Sequence, residues 1–392
     1  MSKLKPSLRI AKREIALLFN SKSAFIFAIV LPFVSILFFN TLLSDGVARN
    51  LPVAVVDLDH SAISRNVIAQ LDAAPEIEIG YFPLNQQKGE ELVRLGKVYG
   101  VITIPQNFEA DLKSGKQVRI INQYNSNLLL PGGLEYKAFR KVIGTISAGV
   151  NIEKQLKQGV SMQQAMVNYQ PIVSNNHVLS NPYTNYSYYL NTGFLAMFFQ
   201  IFVMLTTIYC FGADLKYSKG NKLLNITDGN LSAIILGKVL PYTVWFLLVG
   251  IIMLFSMYVW QDFPFFGNKL AVLIGLLLLI IANQSFALFF IAVSNSFREA
   301  LTIGSGFAAV SLSFSGITFP IFGMPKVLQW LSQIFPFTHF FELLLDQSQR
   351  GFPIFYSLKS IIILVVLSIV PISLGWLKLK RLFSKGVFNH SI

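Results

Sequence analysis

Apolar positions along the chain gather into six long runs, unevenly spaced. One run occupies 24–43. A mostly polar stretch follows as far as about 188, and runs at 189–211, 234–260, 270–293, 300–319 and 358–377 fill the second half. A helix needs about 20 apolar residues to cross the hydrocarbon core of a bilayer, so each run predicts one crossing. The long stretch between the first run and the rest predicts a soluble domain on one side of the membrane. By position, 23–44 form the first transmembrane helix, 45–188 the inserted domain, and 189–392 a transmembrane domain of five helices.

Within 45–188 the periodicity alternates. Runs rich in β-branched residues at 53–57, 77–82, 98–104 and 118–122 predict strands. Segments with helical spacing at 63–71, 89–95 and 108–112 separate them. This β-α-β-α order predicts a small α/β sheet with helices packed on it, joined by right-handed crossovers. A longer helix is expected at 134–167, after Pro131-Gly132-Gly133, and irregular chain at 171–188. Ahead of the first crossing, Leu8, Ile10, Ile15, Leu17, Leu18 and Phe19 interleave with Arg9, Lys12 and Arg13. That pattern makes 1–22 an amphipathic N-terminal helix suited to the inner leaflet of the membrane lipid. Between the last two crossings, 320–356 is apolar but broken by Pro320, Pro325, Pro336 and Pro353. It predicts a re-entrant segment of two short helices, which a membrane tolerates only if protein buries their backbone.

Charge sets the orientation. Lys3, Lys5, Arg9, Lys12, Arg13 and Lys22 precede the first run against Glu14, and Lys378, Lys380, Arg381 and Lys385 follow the last with no acid. The loop after the second run adds Lys216, Lys219 and Lys222 against Asp214 and Asp228. Lys and Arg near span ends mark the cytoplasmic side, so both termini and this loop are expected inside and the soluble domain outside. The fold class expected is a polytopic α-helical membrane protein of six transmembrane helices with an inserted α/β extracytoplasmic domain. The formal charge of +13 does not make a nucleic-acid binder, because the excess hugs the span ends and forms no patch on the soluble domain. A cleaved signal peptide is not expected, since the first run is too long for one and lacks a small-residue cleavage site. The single cysteine, Cys210, lies in a crossing, so no disulfide braces the outer domain.

Candidate chemistry is sparse. No G-x-x-x-x-G-K-[ST] occurs, and the fragment Gly237-Lys238 continues into Val239, so the chain has no phosphate cradle and is not expected to be an enzyme or to hold a cofactor. Asp57-Leu58-Asp59-His60 follows a strand and opens a helix, where Asp59 or Ser61 serves as a cap rather than as a metal ligand. His339 and Glu342 share a helical face but lie far from the other histidines, which leaves no metal set. Polar residues within the runs include Gln200, Thr206, Thr207, Asn283, Gln284, Ser285, Ser311, Ser313 and Ser315. They must face protein or a cavity, either as helix–helix contacts or along a substrate path. No acid or base stands in the middle of a run, which argues against ion-coupled transport. The loop 212–238 mixes charge with Leu223-Leu224 and a turn at Asp228-Gly229-Asn230, a pattern that suits a short amphipathic helix offered to a partner.

Four stretches carry a resemblance to the permease subunits of ABC-2 type transporters, bacterial export-type members with a large domain after the first span. Leu51-Pro52-Val53-Ala54-Val55-Val56-Asp57, with Asp59, Ser61 and Ser64-Arg65, resembles the start of their outer domain. Gly100-Val101-Ile102-Thr103-Ile104-Pro105, with Phe108, resembles its later strand. Leu236-Gly237-Lys238-Val239-Leu240-Pro241-Tyr242 resembles the entry to their third span. Ser315-Gly316-Ile317-Thr318-Phe319-Pro320, with Met324-Pro325 and Pro336, resembles the region before their last. In the docking loop, where such permeases commonly carry a Glu-x-Gly-Thr-like signature, Gly220 fits but Asn221 replaces Thr and lysines replace acids.

The resemblance implies a multi-pass protein of the bacterial inner membrane that moves amphiphilic, drug-like or lipid-like cargo. ATP would be bound and hydrolysed by separate cytoplasmic ABC ATPase subunits. A second permease subunit, identical or a sibling, would complete a dimer, and the outer domain leaves room for a periplasmic accessory or adaptor protein. It assigns ATPase coupling to Tyr217, Lys219, Gly220, Leu223, Leu224 and Asp228. A translocation path falls to Gln200, Thr206, Thr207, Ser311, Ser313 and Ser315. Two rivals are a membrane sensor with an extracytoplasmic ligand-binding domain, and an intramembrane enzyme. The first would need a cytoplasmic output module and the second a convergent titratable cluster.

Overall fold

A computed structural model describes residues 4–173, 177, 181 and 185–388. The chain divides into two compact units, Met1–Gly46 with Leu179–Ile392, and Val47–Val178. Helix α1 (Leu4–Asn20) is amphipathic, with Ile10 and Leu18 buried and Leu8, Ile15 and Phe19 exposed. Helix α2 (Lys22–Leu42) is long and apolar enough to cross a membrane and contains a π-helical turn at Ile26–Val30. Pro32 lacks an N–H, so the carbonyl of Ala28, four residues earlier, loses its helical partner. The indole Nε1 of Trp245 donates to that carbonyl at 2.8 Å, which satisfies it in an apolar setting.

The second unit is an α/β sheet built in chain order from β1 (Leu51–Asp57), α3 (Ala62–Asp72), β2 (Ile77–Tyr81), α4 (Gln86–Arg94), β3 (Gly100–Ile104), α5 (Phe108–Lys113) and β4 (Ile121–Tyr124). The sheet order is β2-β1-β3-β4. Strand β1 runs parallel to β2 and β3, as the alternating pattern predicts, whereas β4 pairs antiparallel to β3 at the edge. Both faces of the centre are buried. Val53 and Val55 join Val67, Leu71, Ile102 and Phe108 on one side, and Ala54 and Val56 join Val98 and Val101 on the other. Coverage of both faces is why β1 reads as a continuous apolar run rather than an alternation. The long helix begins earlier than its glycines suggest. Helix α6 (Leu129–Lys157) takes Pro131 into its first turn, where a missing N–H costs nothing. Gly159 (φ +85°) then ends that helix, and α7 (Met162–Tyr169) is separate. Of the segment expected to be irregular, 174–176, 178–180 and 182–184 lie outside the described residues.

The first unit resumes with α8 (Tyr186–Lys216), capped by Asn185, followed by α9 (Gly220–Ile226), α10 (Leu231–Trp260) and α11 (Lys269–Val293). Next come α12 (Phe297–Phe314), a 3₁₀ turn at Ile321–Gly323, α13 (Lys326–Ser332), α14 (Pro336–Ser348) and α15 (Ile354–Lys385). Helices α2, α8, α10, α11 and α15 are five that are long and apolar enough to cross a membrane. The fifth predicted run behaves differently. Helix α12 has 18 residues, about 27 Å, opens with Arg298 and Glu299, and stops at Phe314 instead of 319. Gly316 (φ +90°) turns the chain there, so α12 alone falls short of the ~30 Å hydrocarbon core. The proline-broken segment forms the 3₁₀ turn with α13 and α14. Eleven of the thirteen residues of α14 are buried, so its backbone rests in protein. Close helix packing centres on α11, where Leu343 fills the space over Gly275.

Candidate functional site

The expected loop at 212–238 is largely helical. Helix α8 continues to Lys216 and α10 starts at Leu231, leaving a hairpin of Tyr217–Asn230 that carries α9. Ser218 (φ +56°), Asp228 (φ +48°) and Gly229 (φ +78°) make its turns, and the Asn230 side chain accepts from Ala233 N to start α10. The assigned coupling residues divide between two faces. Tyr217 is 65% exposed, flanked by Lys216 and Lys219 with each ammonium 5.8 Å from its ring, and Lys219 and Asp228 are exposed as well. Gly220 and Leu223 are buried and Leu224 is half-buried, so this side of α9 packs on the bundle.

Gly220 sits against Gly386, where a Cβ would come within 2.9 Å of its Cα. The adjacent Asn221 amide, oriented by its surroundings, donates to Phe383 O at 2.9 Å and Ser384 O at 2.6 Å. These are carbonyls in the last turn of α15, which the helix itself cannot satisfy. The departure from Thr at 221 therefore has a structural consequence: α9 caps α15. Asn221→Ala is expected to cost about 1 kcal/mol and to accelerate amide exchange at 383–386 while α8 and α11 keep their protection.

Beneath the hairpin lies a buried ionic cluster that the run pattern does not disclose. Lys238, seven positions into α10, is completely buried. Its Nζ is 2.7 Å from Glu14 Oε1 on α1 and 2.6 Å from Asp214 Oδ2 on α8, and 5.2 Å from the centre of the Phe211 ring. Arg13 donates from Nη1 to Asp214 Oδ2 at 2.9 Å, from Nη2 to Asp214 Oδ1, and from Nη1 to Glu14 Oε1 at 3.2 Å. Two cations and two carboxylates cancel, which is how such charges are accommodated away from water. Gly237 permits the approach. A Cβ there would lie 2.7 Å from Ser7 O and 2.8 Å from Ile10 Cβ on α1. The absence of charge within the runs is thus corrected at Lys238. A lysine inside an apolar run signals a need for acids, but which acids answer it is set by the fold.

The other end of α8 is held by amides. Asn191 Nδ2 donates to Ser187 Oγ and to Gln261 Oε1, both at 3.1 Å, and Gln261 Nε2 donates to Asn40 O at 3.1 Å. They border a cavity of about 400 Å³ lined by Leu37, Asn40, Ser187, Trp260 and Gln261 among others.

The path residues are mostly turned inward. Gln200 Nε2 donates to Ala308 O at 3.2 Å and to Ser311 Oγ, joining α8 to α12. Thr207 and Ser315 bond their own helices, and the buried Thr206 Oγ1 has no hydrogen-bond partner among the described residues. Ser313 faces outward. Among the remaining candidates, His339 Nε2 contacts Gln333 O at 2.9 Å and Glu342 accepts from Ser360 Oγ at 3.1 Å. Both serve packing around α14. In the sheet unit, Asp57 Oδ1 accepts from Asp59 N and His60 N, and Asp57 Oδ2 accepts from Ser64 Oγ. Ser61 caps α3, while Asp59 accepts from Glu109 N at the start of α5. Among the described residues, no group of three His, Cys, Asp or Glu side chains could hold a metal ion.

Residues 22–377 match the family model for "ABC-2 family transporter protein". The chain is similar to the linearmycin resistance permease protein LnrN of Bacillus subtilis (strain 168), at 22% identity over 348 residues, covering 85% of this chain and 88% of the relative. It is also similar to ABC transporter G family member 20 of Dictyostelium discoideum, at 24% identity over 368 residues, covering 92% of this chain. The chain spans about half the length of that second relative, 48%.

Proposed function

This chain belongs to the ABC-2 family of transporter proteins, and from that premise we propose that it is the permease subunit of an ATP-driven exporter. It is a multi-pass membrane protein. Its proposed cargo is amphiphilic or hydrophobic, drug-like or lipid-like, moved across the inner membrane. ATP would be hydrolysed by separate cytoplasmic subunits, and two permease subunits would form the conduit. A relative named for linearmycin resistance supports a drug-like cargo. The charge at the span ends supports cytoplasmic termini and hairpin, with the sheet unit outside. Helix α12, with α13 and α14, would complete the sixth passage as a broken crossing.

The observation that carries this reading is the hairpin itself. Tyr217, Lys219, Lys222 and Asp228 form an exposed, mixed-charge surface. The helix beneath them is fixed to α15 through Asn221, and both hairpin stems are tied to α1 through Asp214 and Lys238. A displacement of α9 by an ATPase would therefore pass to α1, α8, α10 and α15 together rather than dissipate in a loose loop. The exposed side of α12, including Ser313, then faces the second permease subunit and the path between the two.

The test is capture of a cytoplasmic ATPase whose turnover requires this chain. Tyr217→Ala with Lys219→Glu is expected to weaken that capture by about tenfold or more, with an unchanged melting temperature. Unaltered capture would overturn the hairpin as the docking surface. Transport by the purified chain with no ATPase would overturn the permease reading altogether.

A further inference from the structure

At the ends of α8 and α10 away from the ionic cluster, one buried donor is left over. Asn40, in the last turn of α2, is 7% exposed, and its Nδ2 has no hydrogen-bond partner among the described residues. A neighbour fixes which way this amide points. Asn40 Oδ1 accepts from Asn191 Nδ2 at 3.4 Å, so turning the amide over would set donor against donor. Asn40 borders the cavity of about 400 Å³ together with Leu37 and Thr41 of α2, Ser187 of α8, Trp260 of α10 and Gln261 just beyond it. Ser187 and Gln261 are committed already: Ser187 Oγ donates to Gln261 Oε1 at 3.1 Å, and Gln261 Nε2 donates to Asn40 O at 3.1 Å. Among the described residues no charged side chain lines the cavity, while the exposed Asp45 and Asp262 adjoin its lining residues in the chain. Outside it the helix faces are apolar, with Leu37 of α2 and Val259 of α10 exposed.

Each of these facts restricts what fits. A buried donor without a partner is costly, and a carbonyl oxygen suits it because it brings no proton that needs an acceptor in turn. A water would want two to four polar partners, and the walls spare only this one. An anionic group finds no cation on the walls and two acids close by, so its burial goes uncompensated. The volume lies in the range of sites that enclose a drug-sized group. Both crossings end here, at the level where the ester groups of a lipid lie between hydrocarbon and head group.

We propose that this cavity binds an ester-linked membrane lipid whose head group carries no net negative charge. An ester carbonyl accepts from Asn40 Nδ2, and the acyl chains follow Leu37 of α2 and Val259 of α10. The site lies at α2 and α10, apart from the α12 face assigned to the path, and its occupation needs no ATPase. Its failure would therefore leave the permease reading standing.

The full-length protein is reconstituted in vesicles of ether-linked phosphatidylcholine, which has no carbonyls, with a trace of ester-linked phosphatidylcholine that bears a diazirine in one acyl chain. After irradiation, peptide mass spectrometry locates the label. Residues 37–44 and 255–263 are expected to carry about tenfold more label than the exposed face of α15 at 362–374. Excess ester-linked dioleoyl phosphatidylcholine should remove that label, and dioleoyl phosphatidylglycerol should be about tenfold less effective. Asn40→Asp keeps the shape and the acceptor that faces Asn191 but turns the free donor into a carboxylate oxygen. It should cut the label about tenfold, the worth of one hydrogen bond. Thr41→Trp, at an exposed rim position, fills the space without entering the amide network and should do the same with an unchanged melting temperature. Label spread evenly over the exposed helices, equal competition by the two lipids, or undiminished labelling of both variants would overturn the assignment. Displacement of the phospholipid by ethyl octanoate at equal mole fraction would show a site for small esters and would overturn the lipid as occupant.

Discussion

Replacing Lys238 with Met is expected to destabilise the helical unit by about 3–5 kcal/mol, the cost typical of stripping one partner from a buried ion pair. The substitution keeps an unbranched side chain, one atom shorter, and removes the ammonium with its charge and its donors. It leaves Glu14 and Asp214, both nearly inaccessible to water, with Arg13 as their remaining cation. The uncompensated negative charge then stands beside the Phe211 ring in a medium that screens poorly. Thermal unfolding in detergent, followed by tryptophan fluorescence, should show a fall of about 10 °C, or the variant should fail to accumulate. A second variant separates charge from shape. Lys238→Met combined with Arg13→Gln, Glu14→Gln and Asp214→Asn removes all four charges together and should recover most of the lost stability, because a neutral set of similar volume has no unpaired ion to bury. If the single variant melts like the parent, the cluster is not what joins α1 to the hairpin stems.

Glu135 carries the second large effect, in the sheet unit. It projects from α6, is completely buried, and has one carboxyl oxygen, Oε1, with no hydrogen-bond partner among the described residues, while Oε2 accepts from Asn122 Nδ2 at 3.3 Å. Asn122 Oδ1 and Thr103 Oγ1 are also buried without hydrogen-bond partners among the described residues. Burial disfavours the charged form and pushes this carboxyl from the ordinary 4.5 up to about 7, against the smaller opposing effect of Asn122. Because the folded value lies above the unfolded one, the folded state holds a proton that the unfolded chain has already released between those values. Stability is therefore highest below about pH 4.5 for this group, falls as pH rises, and is lower by about 3 kcal/mol above pH 7. Glu135→Gln should remove the dependence and leave the unit more stable than the parent at pH 8. Cleavage within 47–178 during urea titration of the full chain, at pH 5.5 and pH 8, measures this. Parallel shifts in parent and variant would refute the assignment of the pH dependence to Glu135.

Much of the architecture follows from the order of residue types. Runs of apolar side chains about 20 residues long have one stable arrangement in a bilayer, since a helix satisfies every backbone group locally. That is why α2, α8, α10, α11 and α15 arise close to the positions the pattern predicts. Strands β1 and β3 are legible for a similar reason: strands covered on both faces favour consecutive β-branched residues. Caps such as Asn185, Asn230, Asn268 and Ser296 are equally local, each accepting from a backbone N–H two or three positions on.

What the residue order alone left open depends on which distant side chains meet. Leu223 resembled a residue waiting for a partner, yet α9 turns it into the bundle, and Tyr217 and Lys219 in the turn before α9 are exposed instead. Lys238 stood in the sequence as part of the stretch resembling the entry to the third span. Its acids come from 24 and 224 positions away, a separation that no periodicity encodes. The edge strand β4 runs antiparallel for a comparable reason, because its direction is set by pairing with β3 and not by its own four residues. Local order thus decided the helices, the central strands and the family, because each depends on hydrogen bonds and burial within one segment. Tertiary structure alone decided the ionic cluster, the cap of α15 by Asn221 and the buried state of Glu135, because each is an energy shared between segments that only folding brings within contact.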